Sequence, residues 1–338
     1  MRRRSLPTIA LAVLTVLAGC QSPTAEVRQS LADLQDDSFG FESYERVYYD
    51  NVMQTRFEGL AKTVVEANLY LPQTTNAEPL PAVILVHGSG GRGAREARYA
   101  KALNEAGIAA AAPDSFGPRG IRTTGKRQEQ IGSATMLGDA FALLGLLATH
   151  PRIDASRIAI VGFSKGGTVA MHAADERISR GLAPDGRRFA AHVAFYPGCV
   201  VKLKRVEPTG APLLVLLGAR DSYTPAVKCE RFIARMRTAA LPVESITYPG
   251  AEHAWDANYP VRRSNFDFSY GNCDAEVHDD GRTSDGKTGT FVDERDKAAV
   301  RAWIKSCGVP GVTTGRNQAA KEQSLADLLA FLRDKLLE

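Results

Sequence analysis

Apolar segments that alternate with stretches of helical periodicity constrain the fold of this chain more than any other feature. They lie at 82–86, 157–161, 190–195 and 212–217. The run at 82–86 is unbroken, which is typical of a parallel strand buried on both faces. Parallel neighbours need crossover connections, which the intervening helices supply on both faces of the sheet. An alternating segment at 63–70 predicts one antiparallel strand. We therefore predict an α/β fold over residues 44–308, with a mostly parallel central sheet and helices on both faces.

The first 20 residues have the features of an export signal. Arginines occupy positions 2–4, and the apolar run at 6–16 is shorter than a membrane-spanning helix. Residues 17–20, Leu-Ala-Gly-Cys, resemble the bacterial lipobox, in which Cys20 is lipidated after cleavage; a plain secretory signal is the alternative. Lipidation predicts a membrane anchor without a membrane-spanning helix. Because Gln21 rather than Asp follows the cysteine, we expect a bacterial cell-envelope protein on the outer membrane, facing the periplasm.

Two flanking segments and one internal segment fall outside the alternation. Residues 21–43 are polar and are predicted to be a tether, whereas residues 259–290 are predicted to be an ordered surface excursion or a mobile flap. Residues 309–338 are predicted to be a C-terminal extension, with leucines on one helical stripe over 324–338. We expect this amphipathic helix to dock on its own domain, and binding of a partner is the alternative.

The net charge limits the classes of binding partner, and the number of cysteines indicates the cellular compartment. A net charge of +4, part of it in the arginines at 2–4, is too small to predict a nucleic-acid partner. Apart from Cys20 an even number of cysteines remains, as expected in an oxidising compartment. We favour the pairs 199–229 and 273–307 among three possible pairings, and free buried thiols are the alternative. No close Cys/His spacing predicts a metal site. The four residues are Cys199, Cys229, Cys273 and Cys307.

A serine between two glycines follows the strand predicted at 157–161. Residues 162–166 read Gly-Phe-Ser-Lys-Gly, and G-x-S-x-G between a strand and a helix is typical of a nucleophile elbow. This turn strains the backbone of the serine, and the glycines leave room for the neighbouring strand and helix. We predict that Ser164 is a catalytic nucleophile whose hydroxyl points away from the sheet edge.

A serine hydroxyl needs a base to accept its proton, and the base needs an orienting acid. His253 follows the strand at 243–248, and loops after parallel strands gather at one sheet edge, so we expect it beside Ser164. Asp221 follows the strand at 212–217, which gives the order Ser, Asp, His expected after such an elbow. The less suitable candidates are His87, His150, His172, His192, His278, Asp175, Glu252 and Asp256.

Acyl transfer also needs hydrogen-bond donors for the developing oxyanion. We predict that the backbone N–H groups of Ser89, in the glycine-rich loop 87–91, and of Lys165 provide them. Phosphate binding is the other common use of such a loop, but its spacing matches neither a Walker nor a Rossmann motif. We therefore predict no nucleotide site and no metal or organic cofactor.

Six segments together resemble the dienelactone hydrolase family of α/β-hydrolases over residues 64–306. The resemblance implies an α/β-hydrolase fold with its triad at Ser164, Asp221 and His253. Family members that open dienelactone use a cysteine nucleophile and a glutamate in the loop equivalent to 87–91, and this chain has neither. The resemblance therefore implies a broader carboxylic-ester hydrolase acting on small-molecule esters. The segments are HGSGG (87–91), PDSFGPRG (113–120), GFSKG (162–166), FYPGC (195–199), LGARD (217–221) and YPGAEHAW (248–255).

Two more residues are candidates for substrate contact. Arg119 follows a strand end at the edge that carries the triad, and the resemblance implies that such an arginine can bind a substrate carboxylate. Pairing with Asp114 or a loop carbonyl is the alternative. Trp255, close to His253, is predicted either to line the pocket or to pack in the core. With the charge of Lys165 beside the nucleophile, these residues predict a slight preference for anionic or polar acyl groups.

The sequence thus predicts a serine-dependent ester hydrolase, with two alternatives. A peptidase or amidase of the prolyl-peptidase type shares the elbow, but such enzymes carry a further domain that filters substrates. A catalytically silent envelope-binding module would use the C-terminal helix as a docking surface, and a triad in the expected order argues against it.

Overall fold

The computed structural model describes residues 26–74 and 78–337. The predicted signal peptide (1–20) and its lipidated Cys20 lie outside these residues. Within them, none of the helices combines the length and the apolar character that crossing a membrane requires.

The secondary structure alternates between strands and helices through most of the described chain. The strands are β1 (Ser38–Tyr44), β2 (Lys62–Tyr70), β3 (Leu80–Val86), β4 (Ala109–Asp114), β5 (Ile153–Phe163), β6 (His192–Phe195), β7 (Val201–Leu203), β8 (Leu213–Gly218), β9 (Val243–Tyr248), β10 (Arg262–Ser269), β11 (Ala275–Val277), β12 (Thr283–Asp285), β13 (Phe291–Val292) and β14 (Val309–Thr314). The helices are α1 (Tyr49–Met53), α2 (Ala94–Glu105), α3 (Ser133–Leu147), α4 (Lys165–His172), α5 (Glu176–Leu182), α6 (Ala226–Thr238), α7 (Lys297–Cys307) and α8 (Gln318–Leu336).

Eight of these strands form the central sheet, in the order β1-β2-β4-β3-β5-β6-β8-β9. From β4 to β9 all neighbours are parallel, whereas β2 is antiparallel to both β1 and β4. The predicted α/β class with a mostly parallel sheet is therefore confirmed. The carboxyl ends of β5, β8 and β9 lie at one edge, and this edge carries the site described below.

Helices cover both faces of the sheet, as the side chains of β3 show. Ile84 and Val86 belong to a core that includes α3 and α4, and Val83 and Leu85 belong to a second core that includes α2 and α8. Successive side chains of a strand point to opposite faces. An unbroken apolar run therefore belongs in a sheet that is buried on both sides.

The prediction that residues 21–43 form a tether is wrong for the second half of that segment. Leu31 and Leu34 are buried in the main core, and β1 pairs with β2 along its whole length. Phe39 and Phe41 are the buried residues that hold this edge strand on the body. Their alternation with polar residues is too short to stand out in a polar segment.

The C-terminal extension predicted for 309–338 is an integral part of the fold. β14 pairs with β10, and α8 packs on its own domain with Leu328, Leu332 and Leu336 buried in the second core. The helix begins at Gln318, six residues before the predicted start, where the side chain of Asn317 accepts a hydrogen bond from Ala320 N–H.

The polar excursion at 259–290 is ordered and stands against the carboxyl edge of the sheet. It contributes β10, β11 and β12, and β7 and β13 complete a four-stranded sheet with the last two. Both predicted disulfides are present: Cys199–Cys229 joins the segment before β7 to α6, and Cys273–Cys307 joins the segment before β11 to the end of α7.

Candidate active site

Ser164 occupies a sharp turn between β5 and α4. Its backbone has φ 54° and ψ −111°, a conformation that L-residues adopt only under strain. A Cβ on Gly162 would overlap the carbonyl of Gly166, and a Cβ on Gly166 would overlap the carbonyl of Val86. The turn therefore requires glycine at both positions, and it leaves the hydroxyl of Ser164 half-exposed at the sheet edge.

The structure brings Ser164, His253 and Asp221 into one hydrogen-bonded chain. His253 Nε2 lies 2.9 Å from Ser164 Oγ, and His253 Nδ1 lies 2.7 Å from Asp221 Oδ2. The imidazole and the carboxylate are both buried. The three residues follow β5, β9 and β8, so the parallel order of these strands is what brings together side chains far apart in sequence.

The Asp221 carboxylate is fixed by the turn that follows it. Its Oδ1 accepts hydrogen bonds from the backbone N–H groups of Tyr223 and Thr224, both at 2.8 Å. Thr224 Oγ1 lies 3.0 Å from Asp221 Oδ2 and 3.1 Å from His253 Nδ1. The sequence analysis missed Thr224, although an Asp followed three positions later by Thr is a recognisable signal for such a turn.

Two tyrosine rings hold the imidazole of His253 between them, and both were missed. The rings of Tyr196 and Tyr223 contact it edge-on, with centroid distances of 4.9 and 4.8 Å. Tyr196 donates a hydrogen bond of 2.6 Å to Asp256, which also pairs with Arg95 at 3.0 Å. Asp256, a rejected acid candidate, therefore fixes a neighbour of His253 without contacting the imidazole.

Most of the other side chains rejected as base or acid have polar partners, whereas both ring nitrogens of His192 are buried without a hydrogen bond. His172 contacts the Tyr49 hydroxyl at 2.6 Å, and His150 contacts the Leu34 carbonyl at 2.9 Å. Burial lowers the pKa of His172 to about 4, so this imidazole stays neutral. Asp175 caps α5 and pairs with Arg177. Glu252 is buried beside Arg220 rather than facing solvent.

The C-terminal part of the chain fixes the loop that carries His253. Gly315 N–H donates to the His253 carbonyl at 3.0 Å, and Asn317 N–H donates to the Trp255 carbonyl at 2.9 Å. Of the two roles predicted for Trp255, packing in the core is confirmed and pocket contact is not: the ring is buried, and its Nε1 donates to Ser324 on α8 at 3.0 Å. Its large apolar ring is more stable between β-sheet and helix than at a wet pocket edge.

A cavity of about 200 Å³ opens onto Ser164, and both predicted oxyanion donors line it. Among the described residues, no turn or loop hydrogen bond has Ser89 N–H or Lys165 N–H as its donor. The glycine-rich loop approaches the elbow closely, since a Cβ on Gly88 would lie 2.9 Å from the Phe163 carbonyl oxygen. The loop that carries Ser89 therefore lies against the elbow that carries Ser164 and Lys165.

The side chain of Lys165 turns away from the nucleophile. Its Nζ donates to the carbonyls of Ile131 at 2.7 Å and Gln128 at 3.3 Å. Burial lowers the pKa of Lys165 to about 7, so half of these side chains are neutral near that pH. The positive charge that Lys165 was predicted to place beside Ser164 is therefore weaker than that of an ordinary lysine.

Of the two roles predicted for Arg119, pairing with a loop carbonyl is confirmed and substrate contact is wrong; its acidic partner is Asp139 and not Asp114. Its side chain is 0% exposed and pairs with Asp139, also 0% exposed, at 2.8 Å. The remaining donors bind the backbone carbonyls of Glu45, Ser115 and Tyr44. With every direction of the guanidinium occupied by protein acceptors, Arg119 ties β1 to α3 and does not reach the cavity. The predicted preference for anionic acyl groups loses its main support.

Replacing Arg119 by methionine is expected to lower the free energy of unfolding by about 3–5 kcal/mol, because the buried Asp139 carboxylate loses its counter-ion. Chemical denaturation at pH 7 measures this change. The control is Arg180→Met, which removes an exposed pair with Glu207 and should change stability by less than about 1 kcal/mol. Equal effects of the two substitutions would contradict the role assigned to Arg119.

Glu294 gives the cavity wall a pH-dependent group. Burial, reinforced by Asp50, raises the pKa of Glu294 to about 7, although Thr283 donates a hydrogen bond to it. Burial disfavours the charged form, so ionised Glu294 destabilises the folded state. This destabilisation is absent below the pKa of a glutamate in the unfolded chain and is complete above pH 7. Glu294→Gln should therefore raise the free energy of unfolding by about 2 kcal/mol at pH 8 and by less than about 1 kcal/mol at pH 5.

Denaturation of both proteins at pH 5 and pH 8 tests this dependence. Glu244→Gln, at an exposed position on β9, is the matched control and should be neutral at both pH values. A Glu294→Gln effect of the same size at pH 5 and pH 8 would exclude an ionisation as its cause.

No group of three or more His, Cys, Asp or Glu side chains within 26–74 and 78–337 is placed to hold a metal ion.

Comparisons with known proteins support the fold and the family. An uncharacterized protein of Mycobacterium tuberculosis is 29% identical over 196 residues, which cover 54% of this chain and 66%, just under two thirds, of that protein. A putative carboxymethylenebutenolidase of Methylorubrum extorquens is 26% identical over 200 residues, or 56% of this chain and 68% of that protein.

A crystal structure from metagenomic libraries, of a dienelactone hydrolase-like promiscuous phosphotriesterase, has the same fold. Its TM-score is 0.50 at 16% identity, and the match covers 88% of this chain and 99% of that chain. The family model of the dienelactone hydrolase family matches residues 65–307, which is well over half of the sequence. The chain belongs to the dienelactone hydrolase family.

Proposed function

We propose that this protein is a serine-dependent hydrolase of carboxylic esters. The observation that carries the proposal is the chain of contacts from Asp221 through His253 to Ser164, with 2.7 and 2.9 Å between the polar atoms. A hydroxyl, an imidazole and an acid in this arrangement activate the hydroxyl for acyl transfer.

The first half of the reaction forms an acyl-enzyme. His253 Nε2 takes the proton of Ser164 as Oγ attacks the ester carbonyl carbon, and Asp221 holds the other ring proton on Nδ1 and stabilises the imidazolium. The tetrahedral oxyanion is stabilised by the N–H groups of Ser89 and Lys165. The intermediate collapses when the C–O bond to the alcohol breaks and His253 returns the proton to the leaving oxygen.

The second half of the reaction consumes water. His253 takes a proton from a water molecule, the hydroxide attacks the acyl carbon, and the bond to Ser164 Oγ breaks as the proton returns to it. The products are a carboxylic acid and an alcohol, and the enzyme is regenerated without a cofactor.

The names of the relatives suggest the same class of chemistry. The Methylorubrum protein is named a putative carboxymethylenebutenolidase, and the metagenomic one a promiscuous phosphotriesterase. This chain spans only part of the curated relatives and shares 16% identity with the solved structure. The substrates of these proteins are therefore compounds to assay with this protein, and they are not assigned to it.

The proposal is tested with the purified chain lacking residues 1–20, on matched p-nitrophenyl esters and p-nitroanilides. We expect turnover of esters at least 100-fold faster than of anilides with the same acyl group. Faster anilide turnover would favour the peptidase alternative. No turnover, together with no labelling by a serine-reactive fluorophosphonate, would favour the silent module and reject the proposal.

We also propose that the protein acts outside the cytoplasm from a lipid anchor on Cys20. The two disulfides support an oxidising compartment. In a bacterial host grown with labelled palmitate, the full-length chain should incorporate label, and Cys20→Ser should abolish it while a Cys199→Ser/Cys229→Ser chain keeps it. Label retained in Cys20→Ser would refute the anchor.

A further inference from the structure

The helix α7 turns an apolar stripe toward the cavity. Val300, Trp303 and Ile304 have the i, i+3, i+4 spacing of one helix face, and all three line the cavity that opens onto Ser164. No residue of α7 is fully buried. A stripe of this kind on a surface helix normally packs on the protein interior. Here Trp303 and Ile304 pack against a small core of buried residues, and together with Val300 they also border the unfilled cavity, so the stripe forms one of its walls. The core residues are Tyr223, Tyr270, Cys273 and Val312.

Three contacts fix α7 in this position. The Cys273–Cys307 disulfide holds its C-terminal end, Trp303 Nε1 donates to Asp285 Oδ2 at 2.8 Å, and Arg301 pairs with Glu129 at 2.6 Å. A wall held by a covalent bond and two polar contacts is preorganised, so little order is lost when a ligand binds to it.

The cavity lining outside α7 also contains apolar and aromatic side chains. Val200 and Ile131 line it, and Tyr223 and Tyr270 stack on each other with a centroid distance of 5.6 Å. Tyr223 also contacts the imidazole of His253. The apolar lining therefore begins at the reacting groups and continues to α7.

Four of the five charged residues that line the cavity have their side chains engaged with the protein; the fifth, Lys297, is exposed at the start of α7. Glu129 accepts from Arg301, Lys165 donates to two backbone carbonyls, and Glu294 accepts from Thr283. Arg46 donates to the Gln130 carbonyl. A substrate charge would have to compete with these partners, whereas an apolar group displaces only water from the wall.

We propose that this cavity binds an apolar group of the ester, the size of an aromatic ring or a medium alkyl chain, and that Val300 and Ile304 determine its length. The volume of about 200 Å³ is somewhat larger than the roughly 150 Å³ of an engineered apolar cavity that holds benzene. The inference rests on the proposed ester hydrolysis and adds the substrate class.

Two ester series test the proposal on the mature chain. One lengthens the acyl group from acetyl to decanoyl with a fixed alcohol, and the other lengthens the alcohol from methyl to decyl with a fixed acetyl group. In at least one series kcat/KM should rise about fourfold per methylene until the cavity is full. Hydrolysis with flat or falling profiles in both series would overturn this inference and leave the proposed function standing; absence of all hydrolysis would remove both.

The variant Val300→Phe fills part of the cavity with a larger side chain, and Val227→Phe is its matched control. Val300 lines the cavity, whereas Val227 lies on α6, is 50% exposed and does not line it. We expect Val300→Phe to lower kcat/KM at least tenfold for the preferred length and less than threefold for the acetyl or methyl ester. Val227→Phe should leave the whole profile unchanged. Equal loss for short and long esters in Val300→Phe would contradict a length-determining wall.

The variant Ile304→Ala tests the same proposal in case Val300→Phe disturbs folding. Loss of three carbons from the wall lengthens the cavity, so the optimum should move to a group one to three carbons longer. Circular dichroism and fluorophosphonate labelling show that the variant is folded and its serine reactive. An optimum that stays at the wild-type length, in a folded and reactive Ile304→Ala protein, would refute the assignment.

Discussion

Ser164→Ala is expected to lower kcat for the best ester by about 10⁴- to 10⁶-fold, the range seen when the nucleophile of a triad is removed. The substitution deletes only Oγ, the atom that His253 Nε2 contacts at 2.9 Å. Alanine has the same backbone strain as serine at φ 54°, so the free energy of unfolding should change by less than about 1 kcal/mol. The loss is therefore specific to the chemical step.

Intact-mass measurement after fluorophosphonate treatment checks the same atom without turnover. The wild-type chain should gain one adduct, and Ser164→Ala should gain none. The control is Ser306→Ala, at an exposed position on α7, which should keep both activity and adduct. Retention of more than a few per cent of the activity by a folded Ser164→Ala chain would remove Ser164 from the mechanism.

The central sheet and the order of the site residues were predictable because they depend on local patterns. An unbroken apolar run such as 82–86 has one stable position, buried on both faces of a sheet. Once the strands are parallel, residues that follow them converge at one edge. His253 and Asp221 could therefore be named from position and chain order, without knowledge of any contact.

The support of the site was not predictable, because it depends on contacts between distant segments. Tyr196 and Asp256 meet beside His253 only after the sheet has formed. Arg119 finds its partner Asp139 on α3, and no local pattern distinguishes this pairing from a substrate contact. A charged residue near a strand end is equally compatible with both roles until the packing around it is known.

The walls of the cavity could not be predicted from the sequence, for a different reason. The strands β11 to β13 are short, β10 is largely polar, and the pairing of β11 with β7 and of β10 with β14 joins segments that lie far apart in sequence. Segments of this composition have no periodicity of their own. The disulfide Cys273–Cys307, predicted by parity and order, was the one sequence signal that linked this region to α7.

Asp221→Asn should lower kcat by about 10⁴-fold although it preserves the size of the side chain. The asparagine oxygen can still accept from Tyr223 and Thr224, whose N–H groups hold Oδ1 at 2.8 Å. Its NH₂ group then occupies the place of Oδ2 and points at His253 Nδ1, which must become an acceptor. The ring proton moves to Nε2, and His253 can no longer accept the proton of Ser164.

The loss in Asp221→Asn should thus appear in kcat with KM little changed, because the cavity that binds the substrate is untouched. Steady-state kinetics on the preferred ester, with unfolding as a check of stability, measure this split. Glu252→Gln is the matched control: this carboxylate lies next to His253 in sequence but pairs with Arg220, and its loss should cost less than threefold. A loss below tenfold in Asp221→Asn, or an equal loss in Glu252→Gln, would show that orientation of the imidazole does not depend on Asp221.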